Sequence, residues 1–293
     1  MDISFLQAFV TVAEQGSFSR AAEQLHLSQP AVSKRIAALE TRYQQRLFDR
    51  VGRDTRLTEA GAVLLPYARQ CLSSVEDGRR ALSRLTEAVS GTLSVGTSHH
   101  IGLHRLPPVL REFTQTYPEV DLDIHFMDSE VACQAVEHGQ LEMAIVTLPD
   151  APADNLVCEE IWPDPLAAVI AADHPVAGAT PPTLETLLAL PAVLPDENTF
   201  THRIVHQAMA ERGLEPRIRL ATNYLETLKM LVGIGLGWSV LPVSMVDSSL
   251  KVLDVEALRL SRSLGLVSDR RRSLSSAALA LASLLRSGPS GND

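Results

Sequence analysis

The sequence contains few cysteines, and their spacing excludes the common cysteine-based scaffolds. Cys71, Cys133 and Cys158 are the only cysteines among the 293 residues, and no two of them form a C-x-x-C pair. Disulfide-rich domains and structural zinc sites need closely spaced cysteines. We therefore expect three buried, reduced thiols.

The sequence also lacks a long apolar run and a leader-like N-terminus. No stretch approaches the ~20 consecutive apolar residues of a membrane-spanning helix. The first ten residues, MDISFLQAFV, carry an acid where a signal peptide has basic residues. We therefore expect a cytoplasmic protein with no membrane partner.

Common catalytic motifs are missing as well. The chain has no G-x-S-x-G elbow, no P-loop and no G-x-G-x-x-G turn. Gly233, Gly235 and Gly237 alternate, but they follow a predicted helix, whereas a dinucleotide turn opens one. The sequence therefore predicts a protein that is not an enzyme and has no cofactor.

The net charge of −9 conceals an uneven distribution of charged residues. Residues 1–88 contain 12 of the 26 Lys and Arg residues but only 10 of the 35 Asp and Glu residues. Within 28–56, seven basic residues stand against three acidic ones. A basic segment joined to an acidic remainder is typical of a nucleic-acid-binding module attached to a different kind of domain.

Two short helical patterns separated by a tight break occupy residues 18–39, FSRAAEQLHLSQPAVSKRIAAL. Ser28 is placed to cap the second helix, and Pro30 suits its first turn because no backbone bond is lost there. One buried stripe is predicted at Val32, Ile36 and Leu39. A short helix, a tight turn and a second helix indicate a helix-turn-helix reader of duplex DNA.

The polar face of the second helix carries side chains that can read DNA. Gln29 can pair with an adenine edge, and Lys34 or Arg35 can reach guanine or a phosphate. Ser33 can bond to either a base or the backbone. On these residues alone, an ordinary surface helix pair with solvated charges remains the alternative.

A basic hairpin is predicted directly after this helix pair. The segment 50–57 reads as a tight hairpin with Gly52 at its turn, and Arg50, Arg53 and Arg56 lie along it. Arginines on such a wing suit phosphates and the minor groove. A solvated basic loop is the alternative interpretation.

A long amphipathic helix is predicted over roughly 58–89. Its apolar residues include Leu64, Leu72 and Leu82, and the N-terminal segment offers no evident partner for this stripe. A stripe of this length usually pairs with a second copy. Such a dimer would set two recognition helices about one turn of DNA apart.

From Thr92 onward, strand patterns alternate with helix patterns. This alternation predicts parallel sheets, in two α/β lobes joined by two crossovers, the first near 162–165. Ligands of such sheets bind where strands end and helix N-termini present unpaired N–H groups. A small anion, most simply a carboxylate, is the expected guest, although capping alone also explains Ser and Thr at these turns.

Three histidines follow the first of these turns. His100 and His104 have the i, i+4 spacing of metal ligands on a helix, but no carboxylate or cysteine in the local sequence completes a set. We therefore assign no metal and favour contact of His99 or His100 with an anionic effector. In that case a carboxylate partner would raise the imidazole pKa, and affinity would fall toward or above neutral pH.

Several blocks of the chain together resemble one family over its whole length. They are FVTVAEQGSFSRAAEQLHLSQPAVSKRIAALE, LFDR, LTEAG, GTLSVG, GQLEMAIV and GLGWSVLP. In sequence, order and spacing they are similar to those of the LysR-type transcriptional regulators. One departure is small: Gly139-Gln140-Leu141-Glu142 stands where the family commonly has Gly-Glu-Leu-Asp.

The resemblance implies an α/β architecture in three parts. These are a winged helix-turn-helix at 1–58, a linker and dimerisation helix at 59–90, and an effector-binding domain at 91–293 similar to two-lobed periplasmic solute-binding proteins. Lobe 1 would comprise about 91–161 and 265–293, and lobe 2 about 162–264. The resemblance also implies a homotetramer that binds promoter DNA and responds to a small molecule in the interlobe cleft.

Site residues are carried over from the resemblance by position. The implied DNA-contacting residues are Ser28, Gln29, Pro30, Ser33, Lys34, Arg35 and Arg53. The implied effector-contacting residues are Thr97, Ser98, His99, Ser129, Thr147, Thr199, Phe200, Thr201 and Asn223. An alternative function is that of a cytoplasmic solute-binding or sensor protein whose signal is redox or metal.

Overall fold

The computed structural model describes residues 2–51, 54–84, 88–178, 183–255 and 258–288. They form two compact units, one chiefly of Met1–Leu85 and one chiefly of Thr86–Glu137 with Leu141–Asp293. Among the described residues, no helix is both long enough and apolar enough to cross a membrane.

Helices and one hairpin make up the first unit. They are α1 (Ile3–Gln15), α2 (Phe18–Gln24), α3 (Gln29–Tyr43), β1 (Phe48–Val51), β2 (Asp54–Leu57) and α4 (Glu59–Ser83). The predicted helix pair is confirmed, and Ser28 caps α3 through its side chain, which accepts a bond from the Ala31 N–H. His26 takes a left-handed conformation, φ 53°, in the turn between α2 and α3.

The core of the first unit lies between α1, α2 and α3. Phe9 of α1 and the predicted stripe of Val32, Ile36 and Leu39 are at most 2% exposed. Burying four such side chains stabilises the unit by roughly 1.5–3 kcal/mol each before entropy is counted. The polar start of α3 is therefore held outward by its own apolar face.

The predicted basic hairpin is present as β1 and β2, which pair antiparallel from Phe48 with Leu57 to Val51 with Asp54. Gly52, which we expected at the turn, and Arg53 lie outside the described residues. Gly61, just inside α4, packs against this hairpin so closely that a Cβ atom there would overlap the Leu47 carbonyl oxygen. A glycine is therefore required at that position.

The expectation that α4 lacks a partner in the N-terminal segment is wrong for its first half. Ala68 is 1% exposed, and Leu64, Leu65 and Leu72 pack against the same core. Arg69 also pairs with Glu14 of α1 at 3.1 Å. The apolar residues of α4 lie on two faces of the helix. Helical periodicity alone predicted a single apolar stripe and did not separate the two faces.

The second unit alternates strands and helices. Its first elements are β3 (Gly91–Thr97), α5 (His99–His104), α6 (Leu106–Thr116), β4 (Val120–Phe126), α7 (Ser129–Glu137), β5 (Met143–Thr147) and β6 (Leu156–Ala171). There follow α8 (Leu184–Leu188), β7 (Ala192–Leu194), α9 (Phe200–Ala210), β8 (Ile218–Ala221), α10 (Leu225–Gly233), β9 (Ser239–Pro242), β10 (Leu250–Leu253), β11 (Leu260–Asp269) and α11 (Ser276–Ser287).

Two separate helices lie between β3 and β4. α5 ends at His104, and α6 begins at Leu106 with Pro107 near its start. Because proline has no N–H and clashes with the preceding turn, α5 cannot run through Pro107 and Pro108.

The main sheet is mixed, so the expectation of parallel sheets is only partly right. β3 pairs parallel with β4 and β5, but β11 pairs antiparallel with both β5 and β6. Strands β9 and β10 also pair antiparallel with β6. The chain crosses between lobes inside the continuous strand β6, and β11 returns alongside it.

Separate hydrophobic clusters fill the two halves of this unit. One includes Ile101 of α5, Phe113 of α6 and Leu281 of α11. Another lies on the far part of β6 and includes Trp238, which is fully buried. Each half therefore has its own core, and β6 and β11 connect them.

Candidate functional site

The first candidate site is the exposed start of α3. Gln29, Pro30 and Lys34 are exposed, and Ser33 and Arg35 are half-buried. The Gln29 Nε2 donates to Ser33 Oγ at 3.3 Å, so the two side chains already lie side by side. The start of α3 therefore offers the amide, hydroxyl and basic groups that base-edge and phosphate contacts require.

A second candidate site is a small cavity of about 50 Å³ in the second unit. Its lining is Ser98, His99, His100, Asp128, Ser129, Glu130, Thr147, Pro195, Thr199, Thr201, Asn223, Leu225 and Arg262. The lining comes from the ends of β3 and β5 and from the N-terminal regions of α5, α7, α9 and α10. As expected, strand ends and helix starts converge here.

Seven of the nine predicted effector residues line this cavity, and the other two lie behind it. Thr97 is fully buried, and its hydroxyl donates to the Ile145 carbonyl at 2.8 Å. The Phe200 ring lies under the Arg203 guanidinium, 4.6 Å from it. Thr97 therefore joins two strands, and Phe200 contributes to the site through its backbone.

Capping, the alternative explanation for Ser and Thr at these turns, does not account for Ser129. It lies inside the helix, and its hydroxyl accepts a bond from the Thr147 N–H at 3.1 Å, with both groups buried. The reason is tertiary: β5 ends beside α7 and presents an unpaired N–H that needs an acceptor. Thr199, by contrast, does cap its helix, α9, by accepting from the His202 N–H.

Two carboxylates lie at the cavity and bond across it. Glu130 of α7 accepts a bond from the Phe200 N–H at the start of α9. Asp128 accepts from the Asn223 side chain at 2.9 Å. Burial raises the pKa of Glu130, and the backbone N–H groups it accepts from oppose that shift. The start of α9 thus already holds a carboxylate, which belongs to the protein itself.

A buried ion pair forms the floor of the site. Arg262 of β11 donates to Asp164 of β6 at 2.8 Å and to the Thr201 hydroxyl at 2.7 Å. Arg105 lies 3.5 Å from the other Asp164 oxygen. Asp164 is 1% exposed, so its charge depends on these two guanidinium groups.

The pH dependence expected for a histidine contact is wrong for His100. Burial, together with the nearby Arg262 guanidinium, lowers the pKa of His100 to about 4. His100 is therefore neutral from mildly acidic pH upward, and its titration cannot weaken anion binding near neutral pH. The His99 ring packs between Phe126 and Tyr224, with centroids 5.4 Å and 5.0 Å away.

The histidine pair has a third potential ligand that the local sequence does not contain. Glu226 of α10 lies 2.9 Å from His104 Nε2 and 4.0 Å from His100 Nδ1. These three residues are the group that could hold a metal ion among the described residues.

Sequence reasoning missed four charged or apolar lining residues that matter here: Asp128, Glu130, Leu225 and Arg262. Asp128 and Glu130 flank the predicted Ser129, so a wider window at that turn would have included them. No sequence pattern marked Arg262 as a site residue. It lies in a strand that alternates polar and apolar residues, and its partner Asp164 is distant in sequence.

Two family models match consecutive parts of the chain. The family model described as "LysR substrate binding domain" matches residues 86–289, and that described as "Bacterial regulatory helix-turn-helix protein, lysR family" matches residues 3–62. An uncharacterized HTH-type transcriptional regulator of Azotobacter vinelandii is 67% identical over 108 residues, covering 37% of this chain and 75% of that protein. A probable RuBisCO transcriptional regulator of Thalassiosira pseudonana is 30% identical over 276 residues, covering 90% of each.

Solved structures share the fold. Full-length OxyR of Pseudomonas aeruginosa matches with a TM-score of 0.72 and 24% identity, covering 98% of both chains. An OxyR cysteine mutant of Corynebacterium glutamicum matches with a TM-score of 0.56 and 28% identity, covering 98% of this chain and 91% of that one.

The different bonding of two cavity serines gives a test. Ser129→Ala should lower the free energy of unfolding by about 1–3 kcal/mol without any ligand, because the buried Thr147 N–H loses its acceptor. Ser98 lines the same cavity but makes no side-chain cap bond. Ser98→Ala should therefore change stability by less than about 0.5 kcal/mol. Urea unfolding of both variants measures this, and equal losses would contradict the assignment.

Proposed function

Because the chain belongs to the LysR-type family of transcriptional regulators, we propose that it reads promoter DNA through α3 and the hairpin. We further propose that a small anion in the cavity of the second unit modulates this binding. The DNA contacts proposed are Ser28, Gln29, Pro30, Ser33, Lys34, Arg35 and Arg53. We also propose domain limits of 1–58, 59–90 and 91–293. The protein would act in the cytoplasm, where promoter DNA is found.

The exposed, pre-arranged polar start of α3 carries the DNA-binding proposal. Helix-turn-helix proteins place the N-terminal residues of this helix against base edges in the major groove. Gln29 and Ser33 are held together by a hydrogen bond, so less side-chain freedom is lost on binding. Arg56, exposed on β2, supplies a basic group on the neighbouring hairpin.

A double variant tests the recognition helix. Gln29→Ala with Ser33→Ala should weaken binding to duplexes selected from a random library by about 10-fold or more, since each base-specific contact is worth about 1–3 kcal/mol. The matched control is Thr41→Ala, an exposed position near the other end of the same helix. Wild-type affinity and sequence preference in the double variant would refute the placement.

Glu130 carries the proposal of an anionic effector. Its carboxylate accepts a bond from the first N–H of α9, where a helix favours negative charge. A carboxylate effector would take this position and release Glu130 to solvent. The small volume of about 50 Å³ means that a metabolite must open the cavity to enter. The effector contacts proposed are Ser98, His99, Ser129, Thr147, Thr199, Thr201 and Asn223, with Thr97 and Phe200 behind them.

Replacing Glu130 by glutamine tests this competition. The pKa of Glu130 is raised in the folded state, so the protonated side chain favours folding. Its contribution to the free energy of unfolding is therefore complete below the ordinary pKa of a glutamate. That contribution is lost as pH rises through the raised pKa. The amide oxygen of the substituted side chain could still accept from the Phe200 N–H without a charge. The stability gain of Glu130→Gln over wild type should therefore grow with pH.

The same variant should bind carboxylates more tightly. In thermal unfolding against a library of carboxylates, a ligand at about 100 times its Kd adds roughly 2.7 kcal/mol. Glu185→Gln, an exposed acid in the first turn of α8, is the control and should leave ligand affinity unchanged. Weaker carboxylate binding by Glu130→Gln would contradict the competition.

A redox signal is less well supported than a metabolite. Related structures include an OxyR mutant described as H2O2-bound. In this chain, however, burial raises the pKa of Cys133 to about 12 and also raises that of Cys158. Because the thiolate is the reactive form, both thiols are poor sites for oxidation. The expectation of three buried thiols is wrong for Cys71, which is exposed on α4.

The exposed face of α4 supports a homodimer. Val63, Tyr67, Val75 and Leu82 are 50–66% exposed, and with Cys71 they follow one helical stripe. Exposed apolar stripes of this length mark protein interfaces. We propose that two chains pair along this stripe, and that two dimers form the homotetramer expected from the family resemblance.

Charges placed on the stripe test the dimer. Tyr67→Glu with Val75→Glu should halve the sedimenting mass, because two like charges would be buried opposite their copies. Ala62→Glu adds a charge on the same helix at an exposed position off the stripe and should leave the mass unchanged. A wild-type chain that sediments as a monomer, or a variant of full mass, would contradict pairing along this stripe.

A further inference from the structure

Three side chains from two helices converge beside the cavity. His100 and His104 of α5 lie one helical turn apart, with ring centroids separated by 5.0 Å. Glu226 of α10, more than 120 residues along the chain, lies 2.9 Å from His104 Nε2. One potential ligand atom from each residue lies within 4.8 Å of the other two.

His100 is an unusual buried group in this arrangement. It is 5% exposed, and neither of its ring nitrogens has a hydrogen-bond partner among the described residues. A buried polar group without a partner costs roughly 1–3 kcal/mol. A ligand bound to one of these nitrogens would remove that cost, and a carboxylate and a second imidazole lie beside them.

We propose that His100, His104 and Glu226 bind a divalent transition-metal ion, with zinc as the best fit. Two imidazoles and one carboxylate form a common three-ligand zinc set that leaves a fourth position for water. Nitrogen-rich sets of this kind select zinc and its neighbours over magnesium or calcium.

The surrounding groups are compatible with a cation. The charges that face His100 are Arg262, Asp164 and Glu226, besides the imidazole of His104. Asp164 pairs with Arg262 at 2.8 Å and so offsets its positive charge. His104 and Glu226 are 47% and 39% exposed, so both side chains have room to move until their ligand atoms reach bonding distances of about 2.0–2.2 Å from an ion.

The ion would join the two halves of the second unit. α5 is anchored in one core through Ile101, whereas α10 is anchored in another through Leu228 and Val232. His100 also lines the proposed effector cavity. Zinc bound by both helices would hold that cavity closed, so metal and effector would act on the same opening. The proposal does not depend on what the effector is.

Calorimetric titration of the full-length chain with zinc chloride tests the site. All proteins carry Cys71→Ser, because that exposed thiol could bind zinc on its own. The background chain should bind one zinc ion per copy. His104→Ala and Glu226→Gln should each weaken that binding by more than about 10-fold, the low end of what losing even an outer-shell group costs. Both residues are partly exposed, so the variants should fold, and their unfolding without zinc provides the check.

The chain offers a matched control. His202 and His206 on α9 have the same spacing, with ring centroids 6.0 Å apart, and no third ligand joins them among the described residues. His206→Ala should therefore bind zinc like the background chain and show the same zinc-dependent rise in melting temperature. Loss of binding in His206→Ala, unchanged binding in His104→Ala and Glu226→Gln, or no binding by the background chain would each overturn the proposal.

Discussion

The ion pair between Arg262 and Asp164 is the interaction on which the second unit depends. The antiparallel register sets these residues opposite each other on β11 and β6, the strands that connect the two cores. Removing one partner from such a pair leaves an uncompensated buried charge and costs about 3–5 kcal/mol. Because Arg262 also donates to Thr201 at the start of α9, the same pair positions the helix whose N-terminus faces the cavity. The same ion pair therefore joins the two connecting strands and positions a helix of the ligand site.

Near this ion pair, the cavity is closed by hydrogen bonds that a ligand could replace. Glu130 and Asp128 on one side bond to the Phe200 N–H and the Asn223 side chain on the other. These are hydrogen bonds at a polar opening and do not form part of either hydrophobic core. A ligand that replaces them alters the closure without disturbing the packing of the halves. Regulation by a population shift requires this kind of differential contact between an open and a closed state.

Local features of the structure were predictable from the sequence, and contacts between distant residues were not. Ser28 and the stripe of Val32, Ile36 and Leu39 follow from capping preference and helical period, which act over a few residues. The partners of Ser129 and His104 could not be predicted in this way. The Thr147 N–H and Glu226 are brought to them by strand order and lobe packing. The prediction of strand direction failed for a similar reason, because β11 returns from the far end of the chain and pairs antiparallel.

The most direct test is reciprocal linkage between DNA and the cavity ligand. The carboxylate that gives the largest thermal shift would be titrated calorimetrically into the free protein and into protein saturated with its selected duplex. If the cavity controls DNA binding, the two affinities must differ, and the ligand must change DNA affinity by the same factor, typically about 5–150-fold. Equal ligand affinities with and without DNA would contradict the account, because the two sites would then be uncoupled.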